Sequence, residues 1–232
     1  MMKKIALIYM GGTFGCVGEP LMPMPEQDFL PLLAKIIPPH LQVECFAAPS
    51  VKDSSACTAT DWLKLVQQIQ QLQLNSFQHF VIIHGTDTLS YAAATLARFL
   101  GHSCHAIITG SQYPLLNVEG NDTREFTDAT GNLYLALEQV LTLPTGVYLA
   151  FHEQVFHAQT TLKAHTTELD AFVGVKADQR CQTTADFLVV QNEYIQQATE
   201  LSILNLMLQP IAKEQLILQL KNILLNPPNF LI

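Results

Sequence analysis

Phe80-Val81-Ile82-Ile83-His84-Gly85-Thr86-Asp87-Thr88-Leu89 is the stretch on which the fold turns. Four apolar residues stopping at a glycine have the pattern of a short buried strand. Beyond them Leu89, Ala92, Ala93, Leu96 and Leu100 fall at helical spacing, so Gly85-Thr86-Asp87 reads as a strand-to-helix turn at the carboxyl end of a central strand. In open α/β sheets that edge is where ligands bind. Asp87 there has two readings: a helix cap that accepts backbone N–H groups, or a carboxylate offered to a ligand.

The design recurs along the chain. Lys4-Ile5-Ala6-Leu7-Ile8-Tyr9-Met10 runs into Gly11-Gly12-Thr13-Phe14-Gly15, and His105-Ala106-Ile107-Ile108 runs into Thr109-Gly110-Ser111-Gln112. Gln42 to Ala47 alternates like a strand and leads to Asp53-Ser54-Ser55, which makes four polar turns. Between them the pattern predicts a helix over Glu26–Ile37, stopped by Pro38-Pro39. A second helix opens with the capping box Thr58 to Asp61 and turns Trp62, Leu65, Val66, Ile69 and Leu72 inward. A third lies near Asn132–Leu141, after a polar loop from Asn117 to Thr130, and Gly146–Phe151 is a further strand. Strands alternating with helices predict a mainly parallel sheet covered on both faces, a three-layer α/β/α fold.

Two stretches fit no regular pattern. Val17 to Pro25 holds three prolines and a glycine, which predicts an irregular loop over the first strand end, placed where a mobile lid would lie. Periodicity weakens from His152 to Thr184, where Lys163 has nothing local to mark it as functional. Toward the end a strand is expected at Leu201–Met207 and a helix at Lys213–Leu225, and Phe230-Leu231-Ile232 reads as the start of a strand with no successor.

The 232 residues suffice for one large domain, or one domain with a smaller appendage. Twelve Lys and Arg against twenty Asp and Glu give a charge of −8 without a basic cluster, so no nucleic-acid partner is expected. The five cysteines form no C-x-x-C pair, which fits a reduced, cytoplasmic setting. Met1-Met2-Lys3-Lys4 and the following apolar run mimic a secretion signal, but the run breaks at Gly11-Gly12. No later run has transmembrane length, so no membrane partner is expected. The histidines show no ligand spacing, and the glycine turn matches neither G-x-G-x-x-G nor a Walker motif. No metal and no nucleotide cradle are expected.

In order, Gly11-Gly12-Thr13, Asp53-Ser54-Ser55, His84 to Leu89, Ile108 to Gln112 and Thr161-Leu162-Lys163-Ala164-His165-Thr166 resemble the bacterial-type L-asparaginase family, especially its cytoplasmic type I branch. Asp128-Ala129 with Asn132-Leu133-Tyr134 resembles the family's D-G-P-x-N-L stretch less closely. The resemblance implies that Thr13 is the nucleophile, that Thr86 and Lys163 form a hydroxyl–amine pair for proton transfer, and that Asp87 holds the substrate's α-ammonium. Ser54 and Ser55 would contact the α-carboxylate, and Asp53, Gly12, Gly85 and Ser111 would complete the substrate-binding set. The reaction needs no cofactor. It also implies a catalytic N-terminal domain over residues 1–190, a linker and partial C-terminal domain over 191–232, and a homo-oligomer, dimer or tetramer.

Three positions depart from the family pattern. Leu21 stands where a loop tyrosine is usual, Leu162 replaces a threonine, and the chain stops near the second strand of the family's second domain. These departures keep an alternative open: an impaired, truncated relative that binds an amino acid or a partner without turnover. The glutaminase subunit of a tRNA-dependent amidotransferase is a third reading. The choice between asparagine and glutamine stays open.

Overall fold

β1 (Lys4–Tyr9) has no solvent-exposed side chain from Ile5 onward, as expected of a strand that is covered on both faces. The structure, a computed structural model, describes residues 3–204, 213–225 and 227–231. After β1 the chain folds back through β2 (Cys16–Val17) and β3 (Met22–Pro23), then enters α1 (Glu26–Lys35) and β4 (Gln42–Ala47). It continues through α2 (Ala59–Leu74), β5 (His79–Ile83), α3 (Leu89–Leu100), β6 (His105–Thr109), α4 (Ala129–Gln139) and β7 (Gly146–Phe151). A direct turn then gives β8 (Gln154–His157), followed by a ribbon of β9 (Leu162–Lys163) and β10 (Phe172–Val173).

The main sheet has the order β4-β1-β5-β6-β7-β8, and only the β7/β8 pair is antiparallel. Phe29 and Leu33 of α1 and Leu133, Ala136 and Leu137 of α4 pack on one face, against Ile5, Leu7, Val81, Ile83 and Ile107. By the two-residue period of a strand, Ile8, Phe80, Ile82 and Ile108 point to the other face, where α2 and α3 supply the buried Leu65, Val66, Ile69, Ala92 and Leu96. The expected three-layer α/β/α sandwich is the observed one.

Several local expectations need correction. The proline-rich segment after β1 is a small hairpin: Cys16 pairs with Pro23 and Val17 with Met22. Its strands are too short to leave a period in sequence. α1 ends at Lys35, short of Ile37, because the residue before a proline is pushed out of helical geometry. α4 starts three residues early, at Ala129, whose N–H donates to Thr127 Oγ1 at 3.0 Å and so finds the partner that no preceding turn of helix supplies. Within the stretch read as irregular, β8 closes the sheet edge against β7.

Residues Met1–Gln191 form one compact unit and Asn192–Ile232 another. The second contains α5 (Asn192–Glu200), β11 (Ile203–Leu204), α6 (Lys213–Leu225) and β12 (Phe230–Leu231). Of the strand expected over Leu201–Met207, residues 205–207 lie outside the described residues, as does Ile232. Phe230 and Leu231 are not an unpaired end: they pair in parallel with Ile203 and Leu204, across the α6 connection.

At the amino end of the main sheet His79 and His105 are register neighbours, with rings stacked 4.6 Å apart and 2° from parallel. His105 Nδ1 donates to the Leu143 carbonyl at 2.9 Å, whereas His79 Nε2 is buried with no partner among the described residues. Burial, reinforced by the nearby His105 and Lys3, pushes the His79 imidazole down to about 4. Because the folded value lies below the unfolded one, this contribution to stability is complete above about pH 6.5 and is lost as pH falls toward 4. Urea titrations should show a loss of about 2–3 kcal/mol across that window from this group. His79→Phe should flatten that part of the profile, and an unchanged slope in the variant would refute the assignment.

Candidate active site

The strand order reverses at β1: the chain goes first to β4 on one side, then to β5 on the other. The crevice outside the carboxyl ends of β1 and β5 is therefore the topological switch point of the sheet, the usual ligand position in this architecture. Thr13 follows β1 there, and Thr86 follows β5.

The two turns are fitted to each other through glycines. The Met10 N–H donates to the Ile83 carbonyl at 2.8 Å, which ties the strand ends. Gly12, at φ +83°, packs its Cα against the Gly85 backbone, where a Cβ would overlap the Gly85 Cα. Gly85 in turn faces Ser54, whose Oγ lies 2.6 Å from the place a Gly85 Cβ would take. Ser54 is buried, and its carbonyl accepts the Thr88 hydroxyl at 2.8 Å. Asp53 caps the short turn by accepting the Ser55 N–H at 2.8 Å and the Ser55 hydroxyl at 2.5 Å on the same oxygen. Gly12, Gly85, Asp53, Ser54 and Ser55 thus form one joined surface around the crevice.

Lys163 reaches the same place from β9, 77 residues beyond Thr86. Its Nζ donates to Thr86 Oγ1 at 3.0 Å and to Asp87 Oδ1 at 2.9 Å. The lysine side chain is 13% exposed and that of Asp87 62%, so the cation is sunk into the wall while the carboxylate faces solvent. Thr86, itself buried, donates its hydroxyl to Gln112 Oε1 at 3.4 Å. Lys163, Thr86 and Gln112 form a directed chain of hydrogen bonds. Beside it lies a cleft of about 260 Å³ lined by Asp87, Ser90, Tyr91 and the segment Leu162–Thr166.

No hydrogen bond joins Thr13 to this chain among the described residues; Thr13 is half-buried and opens a single 3-10 turn. Beneath that turn Tyr9 is wholly enclosed, and burial, with Cys16 and Glu26 nearby, raises its phenol far above the usual range. Leu21, between β2 and β3, is 49% exposed.

Ser111 is buried, and its hydroxyl donates to the Tyr113 carbonyl at 2.6 Å, inside its own turn. Its neighbour Gln112, not among the residues expected at the site, is the side chain that reaches Thr86. Gln112 Nε2 donates to the Thr166 and Glu168 carbonyls at 3.1 and 2.8 Å, which turns Oε1 toward Thr86. The Asp128 carboxylate accepts the backbone N–H groups of Gln112 and Tyr113, and Asn132 Nδ2 donates to Asp128 and to the Gly110 carbonyl. Nothing local in the sequence separates Gln112 from Ser111. His84, whose spacing in the sequence marks no role, is buried directly behind Gly85, with Nδ1 2.8 Å from the Gly85 carbonyl and Nε2 3.2 Å from Trp62 Nε1. Burial pushes its imidazole below the ordinary value, against the pull of the Gly85 carbonyl and Asp53.

The arrangement offers a hydroxyl on one strand end, a hydrogen-bonded lysine–threonine pair on the next, and an exposed carboxylate at the mouth of a cleft. The profile described as "Asparaginase, N-terminal" matches residues 4–196. The chain belongs to the asparaginase family. It is 30% identical over 188 residues to L-asparaginase 1 of Escherichia coli K12, an alignment covering 73% of this chain and 50% of that protein. It therefore spans about half the length of that relative. The asparaginase fold is likewise shared with the probable cytoplasmic L-asparaginase of Campylobacter jejuni, at a TM-score of 0.69 and 21% identity over 95% of this chain and 71% of that one. The thermostable L-asparaginase of Thermococcus kodakarensis gives a TM-score of 0.74 and 20% identity, covering 94% and 68%. Among the described residues no group of three or more His, Cys, Asp or Glu is placed to hold a metal ion, and no helix is long and apolar enough to cross a membrane.

Proposed function

We propose that this chain carries an amidohydrolase site that converts L-asparagine to L-aspartate and ammonia through Thr13, in a cytoplasmic homo-oligomer. The observation that carries the reading is Lys163 Nζ within 3.0 Å of Thr86 Oγ1 and 2.9 Å of Asp87 Oδ1, far apart in sequence and at the switch point of the sheet. Residues 1–190 are the catalytic domain in this reading, and 191–232 a linker and the start of a second domain.

A threonine hydroxyl is a weak nucleophile until a neighbouring base takes its proton. The substrate's α-ammonium binds Asp87 and competes with Lys163 for that carboxylate, which frees Nζ to exchange a proton with Thr86. Thr13 Oγ attacks the side-chain amide carbon and its proton passes through the Thr86–Lys163 pair to the amide nitrogen. The C–N bond breaks, ammonia leaves, and an ester to Thr13 remains. Water then attacks the ester, returns a proton to Thr13 and releases aspartate. Backbone N–H groups of the joined turns stabilise the oxyanion in both steps, while Ser54 and Ser55 line the α-carboxylate.

One observation favours binding without turnover: Thr13 has no hydrogen bond to the relay, and Leu21 brings no hydroxyl to it. Ammonia release from L-asparagine and from L-glutamine by the purified chain decides. Release is expected from asparagine; a folded chain that L-aspartate protects against heat, without ammonia from either amide, selects the binding reading.

A further inference from the structure

We propose that His84 is a positioning residue for the amidohydrolase site: held by Trp62, its imidazole clamps the Gly85 carbonyl and so fixes the peptide plane that sets the direction of the Thr86 side chain. The inference rests on the proposed function only in taking the Thr86 hydroxyl as part of the proton relay.

The partners determine the tautomer. An indole N–H can only donate, so His84 Nε2, 3.2 Å from Trp62 Nε1, is the bare nitrogen. A carbonyl can only accept, so Nδ1, 2.8 Å from the Gly85 oxygen, carries the proton. Both nitrogens of a neutral ring are thereby satisfied, which is the condition for burying it at 1% exposure. The backbone is held as well: the His84 N–H donates to the Thr109 carbonyl at 2.8 Å, and Gly110 lacks the Cβ that would overlap the His84 carbonyl.

The Gly85 carbonyl and the Thr86 nitrogen belong to one planar unit. Gly85 itself is the most easily rotated residue of the turn. Without the imidazole this plane is free to rock, and Thr86 Oγ1 loses its aim between Lys163 Nζ and Gln112 Oε1. An error of about 1 Å in a reacting group costs roughly a hundredfold in rate. Trp62 belongs to α2, so this helix contributes to the site through an indole that itself touches no catalytic group.

Two variants separate positioning from simple packing. His84→Asn puts an amide nitrogen near the place of Nδ1, so it keeps the donor to Gly85 and loses Trp62. His84→Gln carries its amide one methylene further, so it can meet Trp62 and loses Gly85. Relative to wild type, H84Q is expected to lower kcat by roughly 30-fold or more with KM within about twofold, and H84N to recover kcat to within about threefold. Amide hydrogen exchange by NMR at Thr86 and Asp87 should be about tenfold faster in H84Q and close to wild type in H84N. Equal kcat in both variants, or kcat that follows melting temperature instead of the Gly85 donor, overturns the inference. If the wild-type chain releases no ammonia, the amidohydrolase reading is what has failed. Exchange at Thr86 and Asp87 then decides the role of His84 alone, and equal rates in H84N and H84Q overturn it.

Discussion

Thr13→Ala is expected to lower ammonia release from L-asparagine by about a thousandfold or more, on the order of 4 kcal/mol of transition-state stabilisation. Its melting temperature should stay near that of wild type. Thr13 is half-buried and has no hydrogen bond to Lys163, Thr86 or Gln112, so its loss leaves none of these groups unpaired. Thr86 is different. It is buried between Lys163 and Gln112, and alanine there would disturb both partners along with any chemistry. Thr13 is therefore the position where catalysis and stability separate cleanly. Should Thr13→Ala retain more than about a tenth of the wild-type rate, the covalent step is not on this oxygen, and Thr86 becomes the hydroxyl to test.

The largest effect on stability is expected from Gly12→Ala, about 4 kcal/mol. Two costs combine. Gly12 sits at φ +83°, which strains an L-residue, and the added methyl falls on the Gly85 Cα with the Gly85 nitrogen 2.6 Å away. Both obstacles are backbone, so no side chain can rotate aside, and relief requires β1 and β5 to separate. Gly18 provides the control. Its φ of +81° is nearly the same, but a Cβ there meets only the Pro20 carbonyl at 3.4 Å, so Gly18→Ala should cost about 1 kcal/mol. Chemical denaturation of the two variants side by side checks the claim, and a Gly12→Ala as mild as Gly18→Ala would show that the turns are not in fixed contact.

Elements with a long period of their own were legible in the sequence. β4, α3 and β7 fall where the apolar pattern put them, and the capping box of α2 is present with Thr58 and Asp61 in their expected roles. Burial of these faces is what their spacing encodes. Two-residue strands have no spacing to read, so the hairpin of β2 and β3 and the ribbon of β9 and β10 were invisible, and β8 was lost in a stretch whose order comes from its neighbour. The candidate site divides in the same way. Thr13, Asp53, Ser54, Ser55, Thr86 and Asp87 stand at the ends of strands and announce themselves as polar turns. Lys163 is marked only by partners more than seventy residues away, and a resemblance was needed to single it out. Gln112, His84 and Trp62 are coupled through their second atoms, to a carbonyl, a hydroxyl or another ring, and no one-dimensional pattern records such a link.

The stack of Trp62 on Tyr91 gives the protein an optical property. The chain has one tryptophan, so all emission excited beyond the tyrosine absorption band comes from a single indole, with no average over sites. That indole lies 6.4 Å from the Tyr91 ring at 10° between planes, and Tyr91 forms part of the cleft wall beside Asp87 and Lys163. Its N–H is committed to an imidazole, which fixes the dipole that the excited state must relax against. The single indole of the chain is therefore separated from the cleft by the thickness of one phenol ring.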